Sequence, residues 1–157
     1  MTNQDDYSLV TLNAQLAPVA SQLINQLQQE SDTFTIGSVR DGQKELAEPI
    51  DDRPAKTWLI LKVDQPIGVA SIEQGEIGLA ILNKEQGQGI GQMVIQALIS
   101  WAQQVNLAYL WLDVQEQNAP AVHIYQKLGF EFTGASQQLT LPNQRQVVIL
   151  RMELPLK

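Results

Sequence analysis

Apolar positions along this chain change period several times, and each change marks an element. Residues 7–12 (YSLVTL) predict a first strand. From about Leu16 to Leu27, the apolar residues Leu16, Val19, Ala20, Leu23, Ile24 and Leu27 recur at helical spacing. Residues 57–63, 67–73 and 76–82 then read as three strands. The breaks between them, Asp64-Gln65-Pro66 and Gln74-Gly75, are turn signals, so the three predict an antiparallel meander. The clearest helix follows, with Ile90, Met93, Val94, Ala97, Leu98, Trp101, Ala102 and Val105 forming one stripe. YLWLDV (109–114) reads as a buried strand. Asn118 suits the N-cap of a helix over 119–128, with Pro120 in its first turn and Gly129 just past its end. FEFT (130–133) and about 144–154 read as closing strands, with Pro142-Asn143 as the turn before the last.

Antiparallel strands that lead into strand–helix–strand predict an α/β (α+β) fold, with a mixed, mostly antiparallel sheet flanked by helices. Residues 28–56 fit the pattern least. They hold Gly37, Gly42, Pro49 and Pro54, with one short helix predicted at 42–48, and a stretch so long and irregular is often functional. Nothing repeats and no linker divides the chain. At about 150 residues per domain, 157 residues predict one domain over 1–157.

Composition removes several function classes. The chain has no Cys and a single His, so thiolate catalysis, a disulfide scaffold and a multi-His metal centre are all excluded, and no metal is expected. No run approaches the ~18 apolar residues of a membrane span. The opening MTNQDDYS does not read as a signal peptide, so a cytoplasmic location is the expectation. Net charge is −7, and all of it falls in residues 1–78, where 12 acidic side chains face 5 basic ones. The segment 30–53 alone carries −4. Such a chain lacks the Lys/Arg footprint of a nucleic-acid binder. Its acidic half is either a solvated surface or a field that favours cationic small molecules. Trp58, Trp101 and Trp111 read as core, and His123 as a packing or exposed residue.

Candidate chemistry concentrates in Gln86-Gly87-Gln88-Gly89-Ile90-Gly91, between a strand and the strongest helix. Glycines let a backbone approach a ligand closely. A helix N-terminus adds unpaired N–H groups and partial positive charge, which suits a phosphate or pyrophosphate. The Walker pattern is absent. A dinucleotide site is a rival, since Asp113 lies at a strand end about 20 residues on. However, the glycine spacing departs from G-x-G-x-x-G, and only 44 residues follow Asp113, too few to complete a doubly wound sheet.

Q-x-x-G-x-G, as Gln86 to Gly91, resembles the acyl-CoA pyrophosphate loop of the GNAT superfamily of N-acetyltransferases. The run from Asn118 through Ala121 and Tyr125 to Gly129-Phe130 is similar to that family's N-x-x-A-x-x-x-Y-x-x-x-G-F signature. The two motifs stand in the family's order on the matching elements. Gln86 stands where many members carry Arg, and Asn83 where Pro is common.

The resemblance implies an acetyl-CoA-dependent N-acetyltransferase that uses acetyl-CoA as co-substrate. Strands 76–82 and 109–114 would be parallel and splay apart, and the pantetheine arm would lie between them against main-chain groups near Ile81 and Leu82. Gln86, Gly87, Gln88, Gly89, Ile90 and Gly91 would hold the pyrophosphate. The Ile81 amide would polarise the thioester carbonyl. Asn118 would bind the pantetheine arm as well as cap its helix. Tyr125 would protonate the leaving thiolate, its other reading being a core tyrosine. Glu76 would act as base or amine anchor, with Glu73 as the second candidate. Without Cys, the acetyl group passes by direct attack of an amine in a ternary complex. A non-catalytic acyl-CoA-binding or regulatory module on the same fold is the alternative. The acceptor is a small-molecule or peptide amine, cationic if the acidic segment lies over the acceptor side. Family members often dimerise, which implies a homodimer as one arrangement for this chain.

Overall fold

A computed structural model of the chain describes residues 6–30, 53–87 and 89–157. The helix expected at 42–48 and the loop residue Gln88 lie outside the described residues. Seven strands form one sheet: β1 (Tyr7–Thr11), β2 (Lys56–Lys62), β3 (Gln65–Glu73), β4 (Glu76–Ile81), β5 (Tyr109–Gln115), β6 (Glu131–Thr140) and β7 (Gln146–Pro155). Their spatial order is β1-β2-β3-β4-β5-β7-β6. Every neighbouring pair is antiparallel except β4 and β5. Among the described residues the α-helices are α1 (Ala17–Glu30), α2 (Ile90–Gln104) and α3 (Ala119–Lys127).

The meander closes through tight turns. Gln74 (φ 55°) and Gly75 (φ 78°) are both left-handed, as a two-residue type I′ hairpin requires, and they set Glu73 opposite Glu76. The β2–β3 turn places Val63 at φ 57°, which strains a β-branched residue.

Both faces of the central strands are apolar, because helices cover both. On one face Trp58, Ile60, Ile77, Leu110 and Leu112 pack with Val94, Ile95 and Leu98 of α2, and α3 adds Val122, Ile124 and Tyr125. Trp58 and Trp101 meet edge to face with centroids 5.4 Å apart. On the other face Ala20, Leu23 and Leu27 of α1 close over Leu59 and Leu82.

Two expectations are corrected. β6 runs to Thr140, well beyond FEFT. It is the sheet's outer strand and almost wholly exposed, so it shows no apolar alternation. Its register shifts between Phe132 and Ser136, around Gly134 (φ 89°). Trp111 is not core. It lies on the α1 side of the sheet, donates from Nε1 to the Gln74 carbonyl at 3.0 Å, and carries the Arg151 guanidinium 4.0 Å from its ring centroid. Among the described residues, no helix is long and apolar enough to cross a membrane.

Candidate active site

β4 and β5 join at one point. Glu76 pairs with Trp111, and the Trp111 N–H donates to the Gly75 carbonyl at 2.9 Å. Beyond that bridge the strands part. In an antiparallel ladder, alternate residues turn their main-chain groups to the neighbour. The Leu82 N–H donates to the Ile67 carbonyl at 2.9 Å. Leu82, Ala80 and Gly78 therefore face β3, while Leu79 and Ile81 turn their amides to the open wedge. Of the two positions expected to offer main-chain groups to the pantetheine arm, Leu82 has its amide engaged with β3 and Ile81 faces the wedge. The Leu82 side chain is buried against α1.

The segment after β4 is pinned from several sides. Asn83–Glu85 form a 3-10 turn. Glu30 at the end of α1 accepts the Asn83 N–H at 2.7 Å, and buried Glu85 pairs with Lys62 of β2 at 3.2 Å. Gln86 turns its Nε2 back to the Ile81 carbonyl at 2.9 Å. The neutral amide at this position thus braces the loop against the strand it leaves. Gly87 (φ 83°) and Gly89 (φ 79°) are left-handed, and a Cβ at either would meet none of the described residues within 4 Å. Among the described residues their glycine requirement is conformational rather than steric.

Gly89 caps α2 without a side-chain acceptor, and its carbonyl takes the Met93 N–H at 3.2 Å. The earlier amides of the first turn have no intrahelical acceptor and point out of the helix start. This is an anion site in form.

A cavity of about 300 Å³ opens between these elements. Leu79, Ala80 and Ile81 form one wall, Gln86, Gly87, Gly89, Ile90 and Gly91 the second, and Asn118, Ala121, Ile124 and Tyr125 the third. The wedge edge, the glycine loop and α3 thus meet around one space. Asn118 Oδ1 accepts the Ala121 N–H at 3.4 Å, a helix cap, and Gly129 (φ 102°) follows the C-cap Leu128. Tyr125 packs edge-on to Phe130 at 5.9 Å, and burial pushes its phenol up to about 12. The hydroxyl therefore stays protonated across neutral pH.

Glu76 and Leu82 do not line this cavity. Glu76 sits at the bridge itself, on the face that carries Trp111. There Asp113 receives two bonds from Arg151, at 2.9 and 3.1 Å. Arg151 is held above its ordinary pKa, first by that hydrogen bond, with the charges of Asp113, Glu76 and Glu153 adding and burial opposing. Asp113, weighed as a ribose ligand, is instead occupied by Arg151. Sequence reasoning missed this cluster, and also the pair Gln115–Arg145 (2.7 Å), because both depend on how β7 aligns with β5.

The acetyltransferase (GNAT) family model matches residues 21–130. The chain belongs to the GNAT family. A GNAT relative, the peptidyl-lysine N-acetyltransferase YjaB of Salmonella typhimurium, is 31% identical over 97 residues, covering 59% of this chain and 63% of that protein. The streptothricin acetyltransferase of Streptomyces lavendulae is 37% identical over 54 residues, 34% of this chain and 29% of that protein. The matches to both thus span less than two thirds of the relatives' own lengths. Among solved GNAT structures, an acetyltransferase from Streptococcus pneumoniae superposes with a TM-score of 0.77 at 20% identity, covering 96% of this chain and 99% of that one. The spermidine N-acetyltransferase of Vibrio cholerae, solved with CoA and spermine, gives 0.73 at 18% identity over 97% and 96%. At these identities the structures establish the GNAT fold, a seven-stranded, mostly antiparallel sheet with helices on both faces.

Proposed function

We propose that this chain transfers an acetyl group from acetyl-CoA to a primary amine by direct attack within a ternary complex. One observation carries the reading. The left-handed, sterically open glycines at the uncapped start of α2 share a cavity with the unpaired edge of β4 and with Tyr125. These residues fit the co-substrate. The amides of Gly87, Gly89, Ile90 and Gly91 suit a pyrophosphate, the β4 edge offers main-chain partners to a pantetheine arm, and Asn118 lines the same channel. The thioester supplies an activated acetyl carbonyl.

The chain's own groups do the rest. The Ile81 N–H faces the wedge and is placed to polarise a carbonyl oxygen. Tyr125 keeps its proton through the neutral range and is the donor for the leaving sulfur as the C–S bond breaks. Glu76 lies on the opposite face at the bridge, where an amine would approach. It anchors the ammonium or accepts its proton, directly or through water. The net charge of −7 favours a cationic acceptor. Members of this fold such as the Vibrio cholerae spermidine enzyme take such amines.

The decisive experiment follows free CoA thiol across a panel of amines, with thermal-shift stabilisation by acetyl-CoA read in parallel. Stabilisation with amine-dependent thiol release is the expected result. Stabilisation without release by any amine would leave a binding module and remove the transferase.

A further inference from the structure

The wedge between β4 and β5 has its apex at Trp111, and that residue holds the apex twice. Its main-chain N–H donates to the Gly75 carbonyl at 2.9 Å, and its indole Nε1 donates to the Gln74 carbonyl at 3.0 Å. Both acceptors lie in the β3–β4 hairpin turn. That turn is stiff, because Gln74 (φ 55°) and Gly75 (φ 78°) close it in the left-handed conformation. The indole lies close against it: a Cβ on Gly75 would stand 3.4 Å from Trp111 Cδ1 and 3.5 Å from Nε1. The ring is held in its turn. The Arg151 guanidinium lies 4.0 Å from its centroid, and Asp113 grips that guanidinium with two bonds, at 2.9 and 3.1 Å. A forked pair of this kind fixes geometry as well as adding energy. Asp113 and Arg151 stand directly opposite each other, so the clamp is built across β5 and β7.

A single bridge leaves two strands free to pivot about it. A second bond from the same residue to the neighbouring carbonyl fixes the angle too. That angle matters to the cavity. Its β4 wall begins at Leu79, three residues past Glu76, or about 10 Å along the strand. There β4 is paired with β3 on its other edge, and β5 is paired with β7 along its whole length, so each strand moves with its neighbour. A rotation of about 6° at the apex shifts that wall by about 1 Å, enough to spoil a main-chain contact. We propose that the Trp111 indole is a positioning residue for the co-substrate. With Arg151 and Asp113 it sets the width at which the β4 edge meets a pantetheine arm. Any large apolar side chain would serve for packing, whereas the Nε1 donor and the stacked guanidinium need the indole. The amides that suit the pyrophosphate belong to the glycine loop and the first turn of α2, beyond the strands. The clamp therefore bears on the pantetheine half of the co-substrate and not on its nucleotide half.

The inference rests on the placement of acetyl-CoA proposed above, and the test separates the two. Wild type, Trp111→Phe and Arg151→Lys are titrated calorimetrically with acetyl-CoA and with 3′-phospho-ADP, which keeps the pyrophosphate and lacks the pantetheine arm. Trp111→Phe keeps an aromatic ring and removes the Nε1 donor. Arg151→Lys keeps the charge and loses the planar fork that Asp113 grips. Both variants should weaken acetyl-CoA about ten-fold and leave 3′-phospho-ADP unchanged. The Arg151 side chain is 41% exposed, so Arg151→Lys carries the test if Trp111→Phe fails to fold. Loss of both ligands in proportion, or folded variants that bind acetyl-CoA as wild type does, would overturn the proposal while leaving the placement of acetyl-CoA intact. Failure of 3′-phospho-ADP to bind wild type would overturn the placement at the glycine loop, and this inference with it.

Discussion

Tyr125 shows how burial sets the chemistry of a single group. Desolvation raises its phenol from an ordinary 10.0 to about 12, so the hydroxyl stays protonated through the neutral range and cannot serve as a base there. If it donates to the leaving thiolate, Tyr125→Phe lowers kcat by about 10²-fold with little change in acetyl-CoA affinity. Single-turnover rates beside a thermal-shift titration check this. The same shift has a stability consequence with a definite sign. The folded pKa lies above the unfolded one, so the contribution is fully present below pH 10.0 and is lost as pH rises toward about 12. Alkaline unfolding curves of wild type and Tyr125→Phe should therefore keep a constant offset below pH 10.0 and shift in favour of the variant above it.

Elements here are specified by their ends as much as by their periods. Gly89 starts α2 in a left-handed conformation, and a Cβ there meets none of the described residues. Gly89→Ala should cost only the backbone penalty, about 1 kcal/mol, and keep acetyl-CoA binding. Gly89→Glu adds bulk and negative charge at the helix start and should abolish stabilisation by acetyl-CoA. Comparing the melting temperatures of both variants with and without acetyl-CoA separates the two effects. Val63 is the converse case, an exposed β-branched residue held at φ 57°. Val63→Gly should stabilise the fold by about 0.5–1 kcal/mol, read by denaturant titration, because the strain removed exceeds the entropy added. Such ends also decide what the sequence made legible. The Gln74-Gly75 turn, the Asn118 cap, the Gly129 stop and the stripe from Ile90 to Val105 are local, and the structure has each where the residues placed it. Local spacing also pointed to the wall residues Gln86, Gly87, Gly89, Ile90 and Gly91, and the family resemblance to Tyr125. The length of β6, the surface role of Trp111 and the pairs Arg151–Asp113 and Arg145–Gln115 were not legible. They follow from strand register across the sheet, which no window of sequence contains.

For the molecule as a whole, charge is the long-range property. A net charge of −7 draws ammonium-bearing acceptors toward the surface, and that pull is screened beyond about 8 Å at physiological ionic strength. Raising salt should lower kcat/KM for cationic amines and leave neutral amines unchanged. An equal response from both classes would reduce the acidic half to a solubilising surface. Asp51 and Asp52, the acidic pair nearest β2 in sequence, lie outside the described residues, so the prediction rests on the total charge. The single bridge between Glu76 and Trp111 bears on the mechanics of the whole sheet. Mechanically it is two sheets, of four and three strands, sutured at one stitch. A bound pantetheine arm would behave as a removable eighth strand that closes the seam. Deuterium should therefore enter the Leu79 and Ile81 amides quickly in the apoprotein and slowly once acetyl-CoA is added, while Leu82, already bonded to Ile67, changes little.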